Sequence, residues 1–106
     1  MRIVFTHNWN NKLSNDIFTT IRKYESGKYS YYSDKIGQPF DVVLKGKKVG
    51  EAKLVGLWKG MLLDIPLPFL FTDTGYSDLS EAYSLFRRFK VNPTDQVLVL
   101  AFEKKE

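Results

Sequence analysis

The chain has 106 residues, 43% of them hydrophobic and 15% aromatic, which describes one folded domain rather than a disordered segment. It has no cysteine and one histidine, which excludes disulfides, a thiol nucleophile and zinc fingers and argues against a protein-only transition-metal site. No run of about 18 apolar residues offers a membrane span, and the net charge of +4 leans toward a polyanionic partner.

The start of the chain, Met1-Arg2-Ile3-Val4-Phe5, reads as a strand that ends near His7, not as a secretion signal, so a cytoplasmic protein is expected. Asn8 to Asn11 is too polar to continue it, and Lys12 to Asp16 reads as a short helical turn. Phe18 to Lys23 is the next strand, because Phe18, Thr19, Thr20 and Ile21 suit a pleated, half-buried surface. Alternation puts Phe18, Thr20 and Arg22 on one face. If Phe18 anchors in the core, Arg22 is aimed at an interior or a cleft. There it must find an acceptor, either a rim carboxylate or a ligand.

Tyr24 to Ile36 shows no period and reads as a long loop. Its tyrosines, with Lys23, Lys28 and Lys35, suit base stacking and phosphate contact, although tyrosines also cover the end of a core. Gly37-Gln38-Pro39 precedes a hairpin whose arms are Phe40–Leu44 and Val49–Trp58, joined through Lys45-Gly46-Lys47-Lys48. Gly50 and Gly56 in the second arm predict a bulge or bend, as in a small closed barrel. Gly60 to Phe71 is apolar and broken by Pro66 and Pro68, so it reads as an irregular crossover with a helical turn at Pro68–Phe71 and a turn at Thr72–Gly75.

Asp78, answered by Glu81, then opens the clearest helix, whose apolar face is Leu79, Ala82, Tyr83, Phe86 and Phe89. Arg87, Arg88 and Lys90 complement its C-terminal dipole, and Asn92-Pro93 stops it. Gln96–Phe102 is an apolar, central strand, followed by a charged tail. The expected fold class is α+β: a curled, mostly antiparallel sheet with one main helix and a short N-terminal one.

Chemical motifs are few. No glycine-rich phosphate loop occurs, and no cofactor is implied. His7 could be a general base or a structural donor. Thr19 and Thr20 offer hydroxyls that need an adjacent base, while Asp64 and Asp73 could cap or orient. Lys53 and Lys59 are the lysines read as having apolar surroundings. The richer signal is a basic and aromatic set: Arg22, Lys23, Tyr24, Lys28, Tyr29, Tyr31, Tyr32 and Lys35, with Trp9 and Trp58 as further candidates and Thr20 to orient a ligand by its hydroxyl. Such combinations bind single-stranded nucleic acid.

Thr20-Ile21-Arg22 after a short helix, Ile36 to Val43, Val49 to Val55, the Gly75–Phe89 helix and the Val97–Phe102 strand together resemble the ASCH family (activating signal cointegrator homology). That resemblance implies a PUA-like β-barrel and RNA- or nucleotide-related work in a cleft between barrel and helices. Some small family members look like amidohydrolases of acylated cytidines that use a lysine, a threonine and a glutamate; others are similar to ribonucleases or coregulator modules. Thr20 and Arg22 match the family's T-x-R strand. The lysine position falls at Ile17, which cannot do its chemistry, and the glutamate falls near Asp73, an approximate substitute. The G-x-K-x-x-E-x-R pattern, laid over Asn15 to Arg22, keeps only the arginine.

The function expected from the sequence is therefore an RNA- or nucleic-acid-binding module. The alternatives are an amidohydrolase or ribonuclease using Thr20, Asp73 and a lysine from elsewhere in the fold, and a module docking a protein partner through Ile65–Phe71. No membrane partner and no metal are expected.

Overall fold

A computed structural model describes residues 1–105, with the side chains of 9–11 outside the described part; Trp9 of the aromatic set falls there. Among the described residues five strands form a single sheet: β1 (Arg2–Phe5), β2 (Ile17–Lys23), β3 (Pro39–Leu44), β4 (Lys47–Met61) and β5 (Gln96–Lys104). Their order is β1-β3-β4-β5-β2. β1 runs parallel to β3, and every other pairing is antiparallel. The architecture is α+β, and the sheet curls into a half-barrel with β1 and β2 as its two edges.

The curl comes from β4. Its pairing shifts register between Val42 and Val43 of β3, where Val49 is the extra residue, and again around Val55, between Leu54 and Gly56. A bulge bends its strand and steepens the local twist. Both bulges lie beside the glycines that the sequence singles out, Gly50 and Gly56. The β3–β4 hairpin closes through Lys45 (φ 51°) and Gly46 (φ 81°), the two positive φ values of a primed turn. Wound this far, the edges meet: the Phe5 and Phe18 rings lie edge to face at 6.2 Å.

Each face of the sheet has its own core. Inside the half-barrel, Ile3, Phe5, Phe18, Phe40, Leu54, Leu100 and Phe102 are buried together. On the outer face, Val97 meets Leu62, Ile65, Leu70, Ala82 and Phe86. β5 supplies both cores and is central, so its near-continuous apolar run is explained by burial on two faces.

Three α-helices are present among the described residues, not one main helix. α1 (Ser26–Asp34) occupies the segment expected to be a long loop. It buries no residue and has no side-chain cap, so it lacks the amphipathic period that announces a helix. α2 (Leu67–Thr74) replaces the expected single turn at Pro68–Phe71 and the turn at Thr72–Gly75. Its prolines lie at the N-cap and in the first turn, where no intrahelical N–H is needed; they start the helix rather than break it. Gly75 (φ 82°) ends it in the left-handed conformation, its N–H donating to the Phe71 carbonyl at 2.8 Å. α3 (Leu79–Arg88) opens as expected, with Asp78 Oδ1 accepting from the Glu81 N–H at 3.0 Å. Its buried stripe is Ala82, Leu85 and Phe86, whereas Leu79 and Phe89 are exposed. A 3₁₀ helix over Trp9–Ser14 overlaps the helical turn expected at Lys12–Asp16 but starts three residues earlier and ends two residues sooner.

Candidate functional site

The seam between the two edge strands holds a cleft of about 270 Å³. β1 and the residues after it, Val4 to His7, form one side. β2 contributes Thr20 to Lys23, and α3 with its exit contributes Leu85, Phe86, Phe89 and Val91. Lys12, Asp73 and Val97 of β5 complete the wall. One half is thus apolar and the other carries nearly all the charge.

β2 positions the central side chains by alternation. Thr20, opposite Leu100, and Arg22, opposite Leu98, follow Phe18 on the inward face. Thr20 is 4% exposed. Arg22 Nε donates to Thr20 Oγ1 at 3.0 Å and Nη2 donates to the Val4 carbonyl at 2.9 Å. The second bond ties one edge of the sheet to the other. The guanidinium carbon also lies 5.0 Å from the centroid of Phe5, within cation–π range. No carboxylate among the described residues forms an ion pair with Arg22. Burial pushes its pKa down, with the nearby Tyr32 and Asp73 acting in the opposite direction.

The lysine of the site comes from the 3₁₀ helix. Lys12 Nζ donates to Asp73 Oδ1 at 3.0 Å, and the two residues are only 4% and 6% exposed. Thr19, on the opposite face of β2 from Thr20, donates its hydroxyl to the same carboxylate oxygen at 3.1 Å. Lys12 Nζ lies 5.5 Å from the Phe5 ring, so one ring carries both Lys12 and Arg22. Burial lowers the Lys12 pKa against the attraction of Asp73. Burial likewise raises that of Asp73, against Lys12 and the Thr19 hydroxyl. Two charges are therefore held out of water at a net expense, a pattern common at functional sites.

Of the residues singled out in the sequence, the fold brings Thr20, Arg22, Lys23 and Asp73 to the cleft, with His7 at its rim. It does not bring Tyr24, Lys28, Tyr29, Tyr31, Tyr32 or Lys35 there. Lys28 pairs with Glu25 at 2.8 Å on the surface of α1. Tyr32 packs against Phe40, with ring centroids 6.2 Å apart, and Lys35 Nζ sits 5.7 Å over Tyr31. Tyr24 and Tyr29 share Lys59, whose Nζ is 5.4 and 4.9 Å from their rings. Lys53 and Lys59, read as the lysines in apolar surroundings, are both exposed. The desolvated lysine is Lys12, which no local pattern announces: it becomes buried only when α2 delivers Asp73 across 61 residues.

In the Ile65–Phe71 segment, Ile65 is buried and Phe71 packs on the outer core, while Leu67 and Phe69 stay exposed. Among the described residues no group of histidine, aspartate and glutamate could hold a metal ion. No helix among the described residues is long and apolar enough to cross a membrane. No family model, curated protein or solved structure matches this chain.

Proposed function

We propose that this chain is a small ASCH-like, PUA-like domain that hydrolyses an amide of roughly nucleoside size in the seam cleft. The observation that carries this reading is the buried Lys12–Asp73 pair beside Thr20. It supplies, from the 3₁₀ helix, the lysine that the strand pattern lacks at Ile17. The cleft volume of about 270 Å³ lies at the lower end for small-molecule sites and suits one small ligand better than a duplex.

The chemistry follows from the placement of each group. Water adds across the amide C–N bond, giving a carboxylic acid and a free amine. Lys12, desolvated and oriented by Asp73, moves a proton between the attacking water and the leaving nitrogen. Thr20 Oγ1 already accepts from Arg22, which leaves its own proton to donate to the carbonyl oxygen as charge develops there. Asp73 is a positioning residue, itself fixed by Thr19. The test is release of acetate from N4-acetylcytidine. Thr20→Ala and Lys12→Met should each lower the rate by about 10²-fold or more in a folded protein. Unchanged release in both folded variants would remove the reading.

A second reading, binding of single-stranded RNA or another nucleic acid, is favoured by one observation: Lys59 seated over the Tyr24 and Tyr29 rings. Rings and cations at this spacing suit stacking with phosphate contact. It requires binding that falls steeply with salt and weakens in Tyr29→Ala.

A further inference from the structure

We infer that the cleft contains an oxyanion subsite centred on Arg22, so that its substrate carries a carboxylate or phosphate in addition to the scissile amide. The inference rests on the amide-hydrolase reading for what the anion is attached to, and on the geometry of Arg22 for the anion itself.

A guanidinium has five N–H donors and keeps its charge at any physiological pH. Arg22 uses one donor on the Thr20 hydroxyl and one on the Val4 carbonyl, which leaves three. Both partners are neutral, so the positive charge is held in place without being neutralised. Asp73 attracts it from nearby, but that carboxylate is bonded to Lys12, which leaves two cations to one acid. Among the described residues Asp73 is the single carboxylate lining the cleft, and its Oδ1 is engaged by Lys12 and Thr19. Lys23, the next residue, lines the same cleft and adds a further cation.

A purely structural arginine would account for the seam bond to Val4. It would not account for a cation-lined cleft in which the one acid is already matched by Lys12. A half-buried guanidinium with spare donors in its plane matches the oxygens of a carboxylate or phosphate two at a time. The apolar wall opposite, with Phe89 54% exposed at the mouth, leaves room for the uncharged body of the same molecule. The expected substrate is thus amphipathic, with an anionic group at Arg22, an amide near Lys12 and Thr20, and an apolar or planar part against Phe89.

The experiment is a calorimetric titration of wild type, Arg22→Gln and Lys23→Gln with four probes. These are N4-acetylcytidine, its 5′-monophosphate, N-acetylglycine and inorganic phosphate, with acetate release followed in parallel. Wild type should bind at least one anionic amide about tenfold or more tightly than neutral N4-acetylcytidine. Preference for the monophosphate identifies a phosphate, and preference for N-acetylglycine a carboxylate. Arg22→Gln should abolish the preference. Lys23→Gln, a change at an exposed position that leaves the seam intact, should reduce it severalfold and keeps the test decisive if Arg22→Gln does not fold. Equal binding of charged and neutral probes by wild type, or a preference that survives both variants, would overturn the subsite. Anion preference without any acetate release would instead retain the subsite and reject amide hydrolysis.

Discussion

Lys12 and Asp73 show at the scale of single residues what the fold tolerates for its site. Removing one member of a buried ion pair strands the other, so Lys12→Met or Asp73→Leu alone should destabilise the protein by about 3–5 kcal/mol. Removing both together, with apolar groups of similar size, should restore stability to at least the wild-type level while abolishing acetate release. Denaturant unfolding of the three variants measures this, and a double variant as unstable as the singles would mean that the pair holds the fold together. The pH dependence carries the same information. Asp73, its pKa raised above 3.8, contributes stability that is complete below that value and lost as pH rises through its folded value. Lys12, its pKa lowered from 10.5, contributes stability above that value, which is lost as pH falls through its folded value. Between the two folded values both contributions are gone, so wild type should be weakest relative to the double variant in that interval. A stability difference that stays flat as pH passes through the titration of both groups would contradict this.

At the scale of elements, the β3–β4 hairpin fixes how the sheet begins to curl, and its turn is imperfect in one position. Lys45 adopts φ 51°, a conformation that asparagine accepts more readily than lysine. Lys45→Asn should therefore stabilise the protein by a few tenths of a kcal/mol to about 1 kcal/mol. A β-branched residue at Gly46, where φ is 81°, should destabilise it by about 1–2 kcal/mol. Thermal unfolding of the two variants should move in opposite directions; a shift in the same direction would mean that the turn does not control the hairpin. The helices divide along similar lines. α3 is legible because its cap and buried stripe both leave a sequence period. α1 is not, because a helix that fully buries no residue, and only half-buries Tyr32 against the core, reads as a polar loop. α2 was hidden by prolines whose effect depends on whether they begin a helix or interrupt one.

At the scale of the molecule, the site exists because the sheet curls without closing. The gap between β1 and β2 is bridged by Phe5 against Phe18 and by Arg22 on the Val4 carbonyl, and the cleft opens beside these bridges. Apolar residues near the seam therefore divide into two kinds. Phe18 is buried and stacks on Phe102 at 5.5 Å, so Phe18→Ala should destabilise the fold by about 3–5 kcal/mol. Phe89 is exposed at the mouth, and Phe89→Ala should change stability by less than about 1 kcal/mol while weakening ligand binding. Unfolding curves for the two, with a binding titration for the second, separate core from cleft; a large loss of stability in Phe89→Ala would place it with the core.

What the sequence determined by itself is what depends on near neighbours along the chain. Alternation in β2 put Thr20 and Arg22 on the face of Phe18, the glycines of β4 marked its bulges, and Asp78 with Glu81 marked the start of α3. Each is set by strand pleat, backbone freedom or capping over a few residues. The tertiary structure alone decided which lysine is desolvated and where the tyrosines go, and it set that lysine against Asp73, which the sequence offers only through a family resemblance. Lys12 and Asp73 are 61 positions apart and ordinary in their local sequence. Their altered ionisation arises only from the water excluded when the 3₁₀ helix, β2 and α2 close on one another, and burial of that kind has no period to read.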